Sequence, residues 1–108
     1  MTESEFLRVA DAMLSEIESR FERSAEEANV DLECSRSGNV LEIEFIDTDS
    51  KIIINTQAPM QEIWVAARSG GFHYRLSGKQ WLNTRDGSEL YAALSDLASL
   101  QAGSQILL

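Results

Sequence analysis

Near the start of the chain, apolar residues recur every three or four positions, the pattern of a helix with one buried face. Over residues 4–21 these positions are Phe6, Ala10, Met13, Leu14, Ile17 and Phe21. Thr2, with Glu5 three residues later, has the arrangement of a capping box, so the helix is predicted to begin near residue 3. The apolar stripe is lost over residues 24–29, and the helix is predicted to end before that segment.

The middle of the chain alternates apolar and polar residues or contains short apolar runs, as half-buried strands do. Strands are predicted over residues 30–35, 41–45, 52–54, 63–67, 72–76 and 80–84. Turn-forming groups such as Ser37-Gly38-Asn39 separate them. Connections this short join antiparallel neighbours, because a parallel crossover needs about ten residues or more.

A second helix is predicted over residues 88–100, where Leu and Ala repeat at helical spacing and Ser88 offers an N-cap. Two amphipathic helices that flank antiparallel strands bury their stripes most simply on one face of the sheet. We therefore expect an α+β fold, a two-layer sandwich with both terminal helices on one face of an antiparallel β-sheet. No repeat or linker interrupts the pattern, so a single domain over residues 1–108 is expected.

The charge is placed unevenly along the chain. Residues 1–49 hold 14 acids and 4 bases, whereas residues 50–108 hold 4 acids and 5 bases, within a net charge of −9. The negative electrostatic potential of the acidic half repels phosphate groups, so neither nucleic acid nor an anionic membrane is an expected partner. Cations and basic protein surfaces are the expected partners. The lone cysteine and the absence of a long apolar run lead us to expect a cytoplasmic protein.

Motifs for catalysis are weak. One histidine, His73, and one cysteine, Cys34, cannot supply a zinc site, and pairing them as nucleophile and base would require a spatial coincidence. Any metal must therefore be held by oxygen, and carboxylates favour hard cations. Asp11, Glu18 and Glu22 fall within about 40° of one another on the first helix and form an acidic edge. The protein is not expected to be an enzyme.

Distinctive motifs fill the second half of the chain. The segment KIIINTQAPMQEIWVA spans residues 51–66, and SGGFHY, GKQW and DG follow at residues 69–74, 78–81 and 86–87. The opening Ser4-Glu5-Phe6, Ala10-Asp11 and Glu18 add to the pattern. Together these residues closely resemble the frataxin family, and in particular its bacterial members, over essentially the whole chain.

The resemblance implies a fold of two helices on one face of an antiparallel sheet, in agreement with the layer argument. It also implies weak binding of iron, as Fe²⁺ or Fe³⁺, with other divalent cations able to substitute. The implied partners are the cysteine desulfurase and the scaffold protein of iron–sulfur cluster assembly, on which bacterial members act as iron-sensitive regulators. No catalytic residue is implied, and a monomer is expected in the absence of iron.

Transferred to this chain, the family's metal-binding residues form an acidic ridge that consists of Asp11, Glu18, Glu22, Glu26, Glu27, Asp31 and Glu33. Glu42 and Glu44 are a weaker extension, and Glu3 joins at the helix start. Glu18 and Glu22 also serve as docking residues for the desulfurase. An alternative is an acidic protein-interaction module whose metal binding is incidental, because both functions use the same acids.

The resemblance also places a partner-binding surface on the sheet, formed by Asn55, Gln57 and Trp64. By pattern alone Trp64 would be a core aromatic residue, whereas the family context predicts that it is exposed. Trp81 is predicted to be structural. Two departures matter: Arg23 is expected inside the acidic ridge, where it would weaken metal binding, and Glu62 replaces a common Gln and is expected to add negative charge to the partner surface.

Overall fold

The computed structural model describes all 108 residues. Two helices enclose six strands in the chain. The elements are α1 (Glu3–Ala28), β1 (Leu32–Ser37), β2 (Val40–Phe45), β3 (Ser50–Gln57), β4 (Glu62–Ala67), β5 (Gly70–Ser77), β6 (Gln80–Asn83) and α2 (Leu90–Ala102), with a 3-10 turn at Ala58–Met60 between β3 and β4. Neither helix combines the length and the apolar character that a membrane crossing requires.

The six strands pair antiparallel in their order along the chain, from β1 to β6. Alternate residues of β2, β3 and β4 are fully buried beneath the helices, and the residues between them face away from the helices. The core joins this inner sheet face to the stripe of α1 and to Leu90, Leu94 and Ala98 of α2. The predicted two-layer α+β sandwich is confirmed.

Two tryptophans lie on opposite faces of the sheet. Trp81 is 3% exposed and meets the ring of Phe6 edge to face, with the ring centroids 6.2 Å apart, so its predicted structural role is confirmed. Trp64 is only partly buried, on the outer face of β4. The core interpretation of the pattern is therefore wrong for this residue, and the predicted exposure holds in part.

The first helix starts as predicted but ends later. Thr2 and Glu5 form the capping box, with the Glu5 amide donating to the Thr2 hydroxyl at 3.1 Å. The predicted end before residue 24 is wrong, because Ser24 and Ala25 continue the buried stripe with small side chains. The helix runs on to Ala28 and ends where Asn29 adopts a left-handed conformation.

The prediction that Ser88 is the N-cap of the second helix is wrong. The Glu89 carboxylate caps α2 by accepting hydrogen bonds from the amides of Tyr91 and Ala92. Ser88 instead donates both its amide and its hydroxyl to Asp86 Oδ1, which holds the turn after β6 and keeps the pKa of Asp86 below its usual value. A carboxylate suits this cap because the helix N-terminus carries partial positive charge.

The residues after α2 pack back onto the helices. Ile106 is 1% exposed, and its amide and carbonyl both bond to the Ser99 hydroxyl. The Ser24 hydroxyl of α1 donates to the carbonyl of Leu107 at 2.6 Å. The small residues late in α1 therefore make room for this segment, and this packing was not anticipated from the sequence.

Candidate functional site

The helix α1 and the edge strand β1 run beside each other in opposite directions. Arg36 of β1 donates to the Ser15 hydroxyl of α1 at 2.9 Å and forms an ion pair with Asp11. Two residues before Arg36 on β1, Cys34 lies close enough to Glu18 and Glu22 for their charges to affect its thiol. Asp11, Glu18 and Glu22 thus share one edge of α1, as the sequence predicted, and the structure shows that this edge faces β1.

The carboxylates of Glu18 and Glu22 have no basic partner. Arg20 pairs with Glu16 at 3.1 Å and lies over the Tyr91 ring at 3.9 Å, toward α2. Glu26 is exposed and follows Glu22 at the next four-residue step, so it continues the same row. The row is therefore negatively charged from Glu18 onward, whereas Arg36 neutralises its Asp11 end.

Glu27 does not join this row. It lies about 180° around α1 from Glu18 and lines a groove with Arg20, Arg23 and Leu107 on the opposite flank. Arg23 occupies the same groove, so the expectation that Arg23 interrupts the acidic ridge is wrong. The base that does reach the ridge is Arg36, which comes from β1 and not from the helix.

The last two ridge residues lie away from the helix edge. Asp31 is exposed in the connection before β1. Glu33 is exposed on β1, on the sheet face turned away from the helices, directly opposite Glu44 of β2. In the same area, Lys51 binds Glu42 at 3.2 Å, and this contact raises the pKa of Lys51. Glu33 with Glu42 and Glu44 is therefore a second acidic area on the open sheet face.

No three carboxylate, His or Cys side chains converge closely enough to enclose a metal ion. Any cation would be held by one or two carboxylates and would keep most of its water ligands. The structure therefore contains no enclosing cage, and Glu18 and Glu22 are the carboxylates of the α1 edge that have no basic partner.

The open face of the sheet carries a row of polar and aromatic side chains. Asn55, Trp64 and His73 occupy paired positions on β3, β4 and β5. The rings of Trp64 and His73 stack with centroids 4.3 Å apart and planes 5° apart. Gln57 donates to Asn55 Oδ1 at 2.6 Å, so the predicted residues Asn55, Gln57 and Trp64 do form one surface.

Glu62 does not add exposed negative charge to that surface, contrary to the expectation. Its side chain is 4% exposed, and Arg75 Nε lies 2.9 Å from its Oε2. Its Oε1 accepts a hydrogen bond from Trp64 Nε1 at 2.9 Å, with His73 Nδ1 at 3.5 Å. A buried carboxylate needs such donors, and Arg75 supplies the compensating charge.

Sequence reasoning did not include Glu62, His73 and Arg75 together in this site. The available signal was the period-two spacing of Glu62 with Trp64 and of His73 with Arg75, which places each pair of side chains on one face of its strand. The same placement separates His73 from Cys34, because Cys34 faces the helices from β1 and His73 lies on the outer face of β5. These two residues do not form a nucleophile–base pair.

Cys34 provides a prediction about the ridge environment. Burial and then the charges of Glu22 and Glu18 raise the pKa of the thiol from 9.0 to about 12. Only the thiolate is alkylated. At pH 8 iodoacetamide should therefore modify the folded protein at least about a hundredfold more slowly than the urea-unfolded protein, since each pKa unit changes the thiolate fraction about tenfold. Equal rates, measured by mass spectrometry, would contradict this environment.

Comparison with known proteins identifies the chain's relatives. Residues 1–104 match the model of the frataxin-like domain. The chain is 62% identical over 108 residues to the iron–sulfur cluster assembly protein CyaY of Janthinobacterium sp. (strain Marseille), covering 100% of this chain and 96% of the relative. It is 60% identical, with the same coverage, to CyaY of Herminiimonas arsenicoxydans.

Solved structures show the same fold. The frataxin of Psychromonas ingrahamii aligns with a TM-score of 0.81 at 30% identity, over 99% of this chain and 97% of that one. A trimeric frataxin of the yeast Saccharomyces cerevisiae, complexed with ferrous ion, aligns with a TM-score of 0.74 at 23% identity, over 88% and 86% of the two chains.

Proposed function

The chain belongs to the frataxin family, and from that premise we propose that it takes part in iron–sulfur cluster assembly as an iron-sensitive regulator without catalytic activity of its own. It binds iron weakly at the acidic ridge and docks on the cysteine desulfurase through Glu18 and Glu22. The involvement in cluster assembly is supported by the names and full-length identity of the bacterial relatives.

The proposed binding of iron and the desulfurase at the ridge is carried by the unpaired state of two carboxylates, those of the half-buried Glu18 and the exposed Glu22. No base lies against either carboxylate, and the surrounding half of the chain is strongly acidic. Unneutralised charges of one sign attract both cations and basic protein surfaces. Iron and the desulfurase would therefore compete for the same carboxylates, and this competition makes the protein sensitive to iron.

The surface of Asn55, Gln57 and Trp64 provides a second contact, which we assign to the scaffold protein bound to the desulfurase. The side chains lie on the sheet face that neither helix covers. Amide groups and a partly exposed indole are typical of protein interfaces, because they combine apolar area with hydrogen bonding.

The proposal is tested by cluster assembly on the scaffold protein, driven by the desulfurase, with and without this protein at increasing Fe²⁺. We expect the protein to change the assembly rate, and the size of the change to depend on iron concentration. An unchanged rate at every iron concentration would contradict the proposed function.

A second candidate function is an acidic interaction module whose iron binding is incidental. The absence of three converging metal ligands favours it. Titrating iron into the complex with the desulfurase separates the two functions. A regulator loses its partner as iron occupies the ridge, whereas an interaction module keeps its partner at iron concentrations that saturate the free protein.

The ridge also predicts a linked change in stability. Replacing Glu18 and Glu22 with Gln should raise the melting temperature at low salt, because two unpaired like charges repel within one helical turn. In the parent, Mn²⁺ at ten times its Kd should add about 1.4 kcal/mol of stability, or roughly 6 °C. The variant should lose most of this increment in calorimetry.

The matched control is the Glu27→Gln, Asp96→Asn variant, which removes the same charge from exposed positions away from the ridge row. It should keep most of the Mn²⁺ increment. If the Gln variant at Glu18 and Glu22 is instead less stable than the parent at low salt, these carboxylates have a structural role and the ridge is not their function.

A further inference from the structure

The open sheet face contains a buried carboxylate that the proposed function does not use. The Glu62 carboxylate accepts a hydrogen bond from Trp64 Nε1, forms an ion pair with Arg75 through Nε, and lies 3.5 Å from His73 Nδ1. These contacts keep the Glu62 charge away from solvent and hold the Arg75 side chain against the sheet. What the surface presents to a partner is therefore the outer side of Arg75 and not the carboxylate.

Arg75 is 63% exposed, and only its Nε is engaged by the protein. Its two terminal amino groups are free to bind a second carboxylate in the bidentate geometry that guanidinium groups favour. The Arg75 side chain is therefore oriented to bind a carboxylate, because its ion pair with Glu62 holds it from the sheet side.

Apolar surface lies on both sides of Arg75. The stacked rings of Trp64 and His73 are on one side, where they share Glu62 with Arg75. On the other side Arg75 lines an open groove of about 540 Å³ whose apolar residues include Met1 and Met60, which are 55% and 50% exposed. A ligand that fits this arrangement carries a carboxylate next to apolar side chains.

The charge of the surrounding chain agrees with this ligand. Residues 62–83, which hold strands β4 to β6, contain three bases, Arg68, Arg75 and Lys79, and a single acid, Glu62. Residues 1–49 carry ten more acids than bases, so this region has the opposite sign to the ridge. A polyanion such as nucleic acid would be repelled by the net charge of −9, whereas a short acidic protein segment needs to approach only this region.

We propose that Arg75, flanked by the Trp64–His73 stack and the Met1–Met60 groove, is the docking site for an acidic, apolar segment of a partner protein. The identification of that partner as a member of the cluster assembly machinery rests on the proposed function. The protein then has two docking surfaces of opposite preference, the ridge for a basic surface and Arg75 for an acidic segment.

The test uses two acetylated, amidated hexapeptides, Gly-Leu-Glu-Glu-Leu-Gly and Gly-Leu-Lys-Lys-Leu-Gly, titrated into the ¹⁵N-labelled protein at low salt. The acidic peptide should shift the signals of Arg75 Nε–H and the Trp64 indole N–H. The basic peptide should leave these two signals in place and shift amides near Glu18. If the acidic peptide moves neither signal, the proposal is wrong.

Substitution of Arg75 measures how much this side chain contributes to the affinity for the acidic peptide. Arg75→Gln should weaken binding of the acidic peptide about fivefold, as expected for the loss of one exposed ion pair. Lys79→Gln removes the same charge from the next turn and should change the affinity less than about twofold. Equal losses in the two variants would show general attraction to positive charge and would overturn the proposal.

The outcomes also separate this proposal from the proposed function. Binding of the desulfurase with no response to the acidic peptide would refute the Arg75 site and leave the ridge function standing. Shifts at Arg75 and Trp64 in a protein that does not affect cluster assembly would support the site and refute the function.

Discussion

Replacing Glu18 and Glu22 with Lys is expected to abolish binding to the cysteine desulfurase, with a loss of at least about a hundredfold in affinity. The two substitutions put positive charge on the edge that we propose meets a basic patch, and like charges brought together at an interface cost several kcal/mol. Surface plasmon resonance against the immobilised desulfurase measures the effect. The loss should shrink at high salt, because exposed charges are screened.

The control is Glu27→Lys with Asp96→Lys, which changes the net charge equally but acts away from the ridge row. It should lower the affinity much less. Circular dichroism should show that both variants fold, because neither Glu18 nor Glu22 makes an ion pair that the substitution would break. Equal losses in the two variants would mean that net charge, and not the ridge, drives association.

Ile106→Ala is expected to lower the free energy of unfolding by about 3 kcal/mol and the melting temperature by roughly 15 °C. Ile106 is 1% exposed between the helices, and truncating a buried isoleucine both loses apolar burial and leaves a cavity. Urea unfolding followed by circular dichroism measures the change.

Leu107→Ala is the matched control, because the neighbouring side chain is 69% exposed. It should cost less than about 0.5 kcal/mol. Similar losses in the two variants would show that the segment after α2 does not pack as described. A large loss confined to Ile106 would show that this segment closes the gap between α1 and α2.

Local signals predicted the fold because they act over a few residues. The capping box of Thr2 and Glu5 set the start of α1, and period-two alternation or short apolar runs between turn residues identified all six strands. The predictions failed where a local signal was ambiguous. The small residues Ser24 and Ala25 were interpreted as the end of the apolar stripe, whereas in the structure both are buried in the helix and Ser24 bonds to the final segment.

The sequence by itself determined the type and order of the helices and strands, the family, the acidic row of Asp11, Glu18 and Glu22, and the surface containing Trp64. Each of these depends on helical or strand periodicity or on a contiguous motif. The early predicted end of α1 is also why the opposite placement of Glu27 was not anticipated, since its angle around the helix follows only once the helix extends that far.

Only the tertiary structure decided which charges remain free. Arg36 neutralises Asp11 from 25 residues away, and Arg75 compensates the buried Glu62 from the neighbouring strand. Both pairings depend on which strand lies beside which partner, and sequence periodicity does not contain that information. The net charge of a site includes the charges of such distant partners. Only the folded structure therefore shows that the carboxylates of Glu18 and Glu22 and the terminal amino groups of Arg75 are unpaired.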